Sequence, residues 1–172
     1  MRKLQTMLSL LAIGACVGFG THEVGAAQGK PNVTANGAVP LTTDELYGLY
    51  SNRSWLWSDG SGYFPAKQRR FIASTGEGSK GSYAVGRWFI TDPGKLCFRA
   101  KWYAKSGAAS ALTCFSHRKK DGVVFQKREP NGDWYVFKHA TTRAGDEYGK
   151  IRPGNYVDAR FKRVEARLSG SK

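Results

Sequence analysis

Two sets of residues in this sequence have the types and spacing for chemistry: cations that recur in stretches rich in Trp, Tyr, Phe and Val, and a pair of cysteines. Arg87, Arg99, Lys101, Arg118 and Arg128 all lie in such stretches. Side chains along a strand alternate between the two faces of a sheet, so cations at matching positions of paired strands gather on one surface. That surface would hold an anion by neutralising several like charges together. Tyr135 and Phe137 are expected among these cations as ring faces suited to sugars. The bland alternative is a solvated outer face whose arginines lie along aromatic neighbours.

Other chemistry is hard to assemble. Beyond the first 26 residues there are two histidines, His117 and His139, and neither belongs to an H-E-x-x-H or C-x-x-C pattern. Ser116 and His117 are sequence neighbours on a strand, so they point to opposite faces and do not form a nucleophile and base. Glu77, Glu129 and Asp133 are the carboxylates from which a glycosidase pair would be drawn, but no spacing selects two of them. The Gly-rich run 75–82 resembles a phosphate-cradling loop without the G-K-[ST] that opens a helix, and reads as a strand connection. No catalytic residue, metal or cofactor is implied.

The elements that position these residues follow from pattern. Thr42 with Glu45 makes a capping box, and Leu46, Leu49 and Tyr50 give a short helix one apolar stripe. From Ser54 to His139 the pattern is strands: Ser54–Trp57, Gly62–Pro65, Arg69–Ser74, Ser82–Ile90, Lys95–Tyr103, Ala109–Arg118, Val123–Glu129 and Asp133–His139. Turn signals at Asp92-Pro93-Gly94, Lys105-Ser106-Gly107, Lys120-Asp121-Gly122 and Asn131-Gly132 separate the last five, which predicts an antiparallel meander. No helical pattern lies between strands, which excludes parallel βαβ folds. The expected class is mostly β, a small closed barrel that hides its edges, with a β-sandwich as the alternative.

Register turns these strands into faces. If Cys97 opposes Cys114, then Leu96 meets Phe115, Phe98 meets Thr113 and Arg99 meets Leu112. The Asp92-Pro93-Gly94 loop independently pairs Trp88 with Phe98 and Arg87 with Arg99. Both registers put Trp88, Leu96, Phe98 and Phe115 in a core and Arg87, Arg99 and Lys101 on the other face. A three-residue Lys120-Asp121-Gly122 loop would pair His117 with Phe125 inside, leaving Arg118, Gln126 and Arg128 outside. The Asn131-Gly132 hairpin would then set Arg128 across from Tyr135 and Gln126 across from Phe137. Phe125 and Val136 are accordingly expected in the core.

The chain of 172 residues carries 27 Lys and Arg against 13 Asp and Glu, a formal charge of +14. Arg2 and Lys3, an apolar stretch over 4–19 and Val24-Gly25-Ala26 read as a secretory signal over residues 1–26. Its removal takes Arg2, Lys3 and Glu23, leaving 25 basic and 12 acidic residues, +13. Ile13-Gly14-Ala15-Cys16 also resembles a lipobox, which leaves a lipoprotein anchored through Cys16 as the alternative to soluble export. No later stretch is long and apolar enough to span a membrane. Residues 27–40 read as a disordered lead-in, 41–155 as a single β-domain and 156–172 as a basic tail. In that tail Phe161, Val164 and Leu168 share a helical stripe, although a solvated terminus fits equally. In an exported chain, Cys97 and Cys114 are most economically read as a disulfide. The pattern excludes a cytosolic enzyme and an integral membrane protein.

Trp55-Leu-Trp57, Gly60-Ser-Gly62-Tyr-Phe64, Gly86-Arg-Trp88, Leu96-Cys-Phe98, Thr113-Cys-Phe115 and Trp134-Tyr-Val-Phe137, in that order, resemble the exported alphaproteobacterial family catalogued as domain of unknown function 995. The resemblance covers about residues 41 to 155. It implies a secreted single β-domain with a Cys97–Cys114 disulfide and brings no catalytic residues. The favoured reading is a non-catalytic periplasmic or secreted domain binding an anionic envelope component: an acidic polysaccharide, lipid headgroups or an acidic protein. Export argues against nucleic acid, which the same composition would suit. An envelope glycan hydrolase using paired carboxylates and a structural envelope-assembly factor are the rival readings.

Overall fold

The computed structural model describes residues 35–170. The expected signal, Cys16 and residues 27–34 of the lead-in lie outside the described residues. The helix α1, Thr43–Tyr50, begins where the capping box put it. Glu45 N–H donates to Thr42 Oγ1 at 3.3 Å, and Thr42 N–H donates back to the Glu45 carboxylate at 2.9 Å. Leu46 and Tyr50 on its inner stripe are fully buried.

Ten strands follow the meander: β1 (Val39–Pro40), β2 (Arg53–Trp57), β3 (Gly60–Phe64), β4 (Arg70–Thr75), β5 (Ser82–Thr91), β6 (Lys95–Ala104), β7 (Gly107–Lys120), β8 (Val123–Arg128), β9 (Tyr135–Lys138) and β10 (Ile151–Pro153). β2 to β9 pair with their sequence neighbours, β10 returns to pair with β2, and β1 pairs with the end of β7. Every pairing is antiparallel. The sheet curls into a half-barrel, so that Trp55 on β2 lies 4.9 Å, ring to ring, from Phe115 on β7. β9 and β10, the two ends of the path, are not paired to each other; a 3-10 turn at Glu147–Lys150 packs against both and spans the gap that a fully closed barrel would fill with a ladder.

Aromatic burial drives this curl. Phe64 sits at the centre, its ring 5.1 Å from Phe71, 5.6 Å from Tyr50 and 6.0 Å from Trp88. Tilted and edge-on contacts of this kind suit ring quadrupoles and add to the apolar area removed from water. Trp88 and Leu96 are fully buried, and Phe98 and Phe115 are half-buried against the same cluster.

The registers of β5, β6 and β7 are those the turn signals predict: Trp88 pairs with Phe98, Arg87 with Arg99 and Cys97 with Cys114. The two sulfurs are bonded. β8 differs by one residue. Asp121 and Gly122 both have positive φ, +50° and +76°, so they alone form the turn and Lys120 pairs with Val123. An Asp-Gly pair takes up the mirror-image turn that matches strand twist, which is why two residues suffice where three were expected. His117 therefore pairs with Gln126, not Phe125, and a slip of one residue exchanges the faces of the whole strand. Val124 and Gln126 turn inward, whereas Phe125 and, through its pairing, Val136 lie on the outer face outside the core. The next ladder, between β8 and β9, ends at Gln126, which pairs with Tyr135 and not with Phe137.

Two terminal expectations also change or resolve. Ala35 and Ala38 are buried and Val39 pairs with Lys119, so residues 35–40 of the lead-in are part of the fold. The tail forms a helix, α2 (Asp158–Ser169), lying on the outer face of β4 and β5. Val164 is buried there and the Phe161 ring stands edge-on to Tyr83 at 5.1 Å.

Candidate anion-binding face

On the outer face, Arg70 of β4 is directly opposite Arg87 of β5, which is directly opposite Arg99 of β6. The three guanidinium groups are exposed, and among the described residues none forms an ion pair with a carboxylate. Neighbouring strands run about 4.8 Å apart, so the row extends roughly 10 Å across the sheet. Lys101 is two residues along β6 from Arg99, on the same face, opposite Val85. Gly86 lets the second and third strands of the row, β5 and β6, come together: a Cβ at that position would stand 2.0 Å from the Arg99 carbonyl oxygen. Like charges directly opposed on adjacent strands are unfavourable in the absence of an anion.

A second cationic cluster lies on the same face beyond the disulfide. Lys95, Ser116 and Lys127 form one row across β6, β7 and β8, and Arg118 follows on β7. The Arg118 guanidinium lies 5.2 Å and the Lys127 ammonium 5.5 Å from the centre of the Trp134 ring. Glu129 accepts from Ser116 Oγ at 2.5 Å and pairs with Lys127 at 3.4 Å. Burial pushes its carboxyl up, but the Ser116 hydroxyl and the Lys127 charge outweigh that and hold it below the usual carboxylate range. This cluster is thus partly compensated, by one carboxylate among three cations, whereas the arginine row has none.

Of the residues expected to share one face, Arg87, Arg99 and Lys101 do so together, and Arg118 stands on that face in the second cluster. Arg128, Tyr135 and Phe137 do not belong to it. The one-residue slip at Asp121-Gly122 sets Arg128 opposite Phe115, on the inner side and exposed at the strand end. It turns Tyr135 inward and buries Phe137 completely.

That slip builds a closed polar network inside. His117 Nδ1 lies 3.1 Å from the Phe115 carbonyl, which only accepts, so Nδ1 carries the hydrogen and Nε2 accepts. Tyr50 donates its hydroxyl to His117 Nε2 at 2.8 Å, and the Gln126 amide donates to Tyr50 Oη at 2.9 Å and approaches His117 Nε2 at 2.8 Å. Tyr135 in turn donates to Gln126 Oε1. Burial drives the His117 pKa down to about 3, against the upward pull of the Phe115 and Gly94 carbonyls, and it raises the Tyr50 hydroxyl. Tyr50, His117 and Gln126 are neutral, mutually satisfied and fully buried, with Tyr135 half-buried at the edge of the network, which suits a structural role. His139 is likewise engaged: its Nδ1 lies 2.6 Å from Asp146, whose carboxylate also accepts from the Arg143 and His139 backbone.

The three carboxylates considered for a hydrolytic pair do not share a setting. Glu77 is exposed and meets Arg160 of α2, Glu129 meets Ser116 and Lys127, and Asp133 is exposed in the loop after β8. Sequence reading missed Arg70, because the 76–81 connection carries no turn of fixed length from which the β4–β5 register follows. Its signal was parity alone: Phe71 and Ala73 are core residues, so Arg70 had to face outward. Lys127 and Trp134 were missed with the β8 slip, whereas Lys95 lies on the face that the correctly predicted β6 register already gave to Arg99 and Lys101.

The family described as a protein of unknown function, DUF995, matches residues 19–157. The chain belongs to that family. No curated protein and no solved structure matches it.

Proposed function

We propose that this family member is a non-catalytic, exported domain that binds an acidic glycan of the cell envelope through the part of the outer face of β4, β5 and β6 around Arg70, Arg87 and Arg99 that stays exposed beside α2. The observation that carries the reading is the row Arg70–Arg87–Arg99, three directly opposed cations with no carboxylate partner among the described residues. Holding like charges in register costs stability, and an anionic polymer laid across the strands would relieve it. Lys101 extends the row and Gly86 sets its spacing. An excess of +13 after signal removal draws such a polymer in over long range. Export to the periplasm or the medium is supported by the charged and apolar N-terminus and by a disulfide of the kind that persists in oxidising compartments. Processing at Cys16 as a lipoprotein is the variant of that placement.

Titration of the protein with polygalacturonate and with neutral dextran tests the proposal. Binding to the polyuronate that weakens steeply with added salt, and none to dextran, is the expected result. Equal binding of both polymers, or salt-independent binding, would contradict it.

A further inference from the structure

The second half of β7 has two partners, β8 along Phe115–Lys120 on one edge and β6 or β1 on the other, but its first half has only β6. Which backbone groups this leaves over can be read from the ladder. Glu129 N–H donates to the Cys114 carbonyl at 2.9 Å, so Cys114 directs its backbone away from β6, while His117 N–H donates toward β6, to Gly94 O at 2.7 Å. The β6–β7 register runs without a shift from Ala104–Gly107 to Lys95–Ser116. In an antiparallel ladder the two directions alternate. Ala108, Ser110 and Leu112 therefore present their N–H and C=O groups outward along an edge that no other strand covers among the described residues. All residues from Gly107 to Leu112 are exposed, Leu112 at 54%.

Sheets blunt such edges with Pro, Lys, bulges or very short strands. This molecule does so elsewhere: β10 is three residues ending in Pro153, and β9 is four residues lying against the Glu147–Lys150 turn. The β7 edge, Ala-Ala-Ser-Ala-Leu over 108–112, has none of these devices. Its surroundings name the partner. Lys101 is in row with Ser110 and Arg99 in row with Leu112, both on the outer face, and Lys105 stands at the hairpin tip. A strand added beside β7 would place alternate side chains next to Ser110 and Leu112, within reach of those cations. A second copy of this chain would bring the same positive rows instead.

We propose that the free edge of β7 captures an extended acidic protein segment by strand addition, with backbone hydrogen bonds to Ala108, Ser110 and Leu112 and acidic side chains directed at Arg99 and Lys101. The site shares Arg99 and Lys101 with the glycan reading, but the free backbone edge it rests on does not depend on that reading.

The test uses the whole protein and fluorescent peptides that alternate Glu with Val or Lys with Val. The Glu peptide should bind and the Lys peptide should not. Ser110→Pro removes an N–H that β6 does not use, so the hairpin should survive while affinity for the Glu peptide falls about tenfold, with Ser110→Ala unchanged. Polygalacturonate binding by Ser110→Pro should stay at the wild-type level, which separates this site from the other. Independently of any variant, a Glu peptide N-methylated on the amides that face the edge should lose binding, and one methylated on the alternate amides should keep it. Equal binding by the two methylated peptides, no binding by the Glu peptide, or a wild-type dimer that Ser110→Pro dissolves would each overturn the proposal.

Discussion

The two faces of strands β5 to β8 carry polar groups under opposite rules. Inside, Tyr50, His117, Gln126 and Tyr135 bond to one another, and burial keeps His117 neutral down to about pH 3. Outside, Arg70, Arg87 and Arg99 oppose one another across three strands with no partner of opposite charge among the described residues. Buried polar groups left unpaired cost far more than exposed ones, so a closed network inside needs no ligand to explain it. An exposed row of like charges is cheap enough to be kept and is relieved by an anion, so the outer face is where binding is expected.

The contrast can be broken most forcefully from the inside. Trp88 is fully buried, stacks on Tyr47 at 5.9 Å and donates its indole N–H to the Pro65 carbonyl at 2.9 Å. Trp88→Ala should destabilise the fold by about 3 to 5 kcal/mol in denaturant titrations, and a loss below about 1 kcal/mol would show that the inner face had been misassigned.

Acid should act next. His117 has its ordinary value of 6.5 when unfolded and about 3 when folded, so the unfolded chain takes up a proton first. Stability is full above about pH 6.5 and is lost as the pH falls toward 3, by a few kcal/mol through linkage. His117→Gln should remove the part of that acid dependence lying between pH 6.5 and 4.5, above the carboxylate range. An unchanged stability profile there would mean that the imidazole reaches solvent.

Gly86 joins the two faces, since a side chain there would press on the Arg99 carbonyl. Gly86→Ala should cost about 1 to 3 kcal/mol through forced separation of β5 and β6. A neutral result would show that the strands relax without cost.

How far the sequence revealed this contrast differs from strand to strand. Between Trp88 and Phe115, a disulfide and a proline turn of definite length gave one consistent register, and Arg87, Arg99 and Lys101 fall on the face it predicts. At Asp121-Gly122 the text allows a two-residue or a three-residue turn, and the difference of one residue moved Gln126, Tyr135 and Phe137 from the outer face to the interior. The core pattern favours the wrong register there, because Phe125 is apolar whereas Gln126, which takes its place inside opposite His117, is polar. The docking of α2 was legible as a stripe of Phe161, Val164 and Leu168 but not as a contact, since its partner surface is set by tertiary packing. Arg70 became part of the site only when β4 paired with β5.

The smallest expected effect on stability belongs to the row itself, and it gives the most direct test. In the double variant Arg87→Ala, Arg99→Ala, relief of like-charge opposition should leave stability equal to wild type or higher by some tenths of a kcal/mol. Titrated at low salt with polygalacturonate, and shown to be folded by circular dichroism, that variant should lose most of the wild-type affinity. Undiminished binding by the folded variant would contradict the account, because the outer arginines would then be a solvated face and the anion would be held elsewhere.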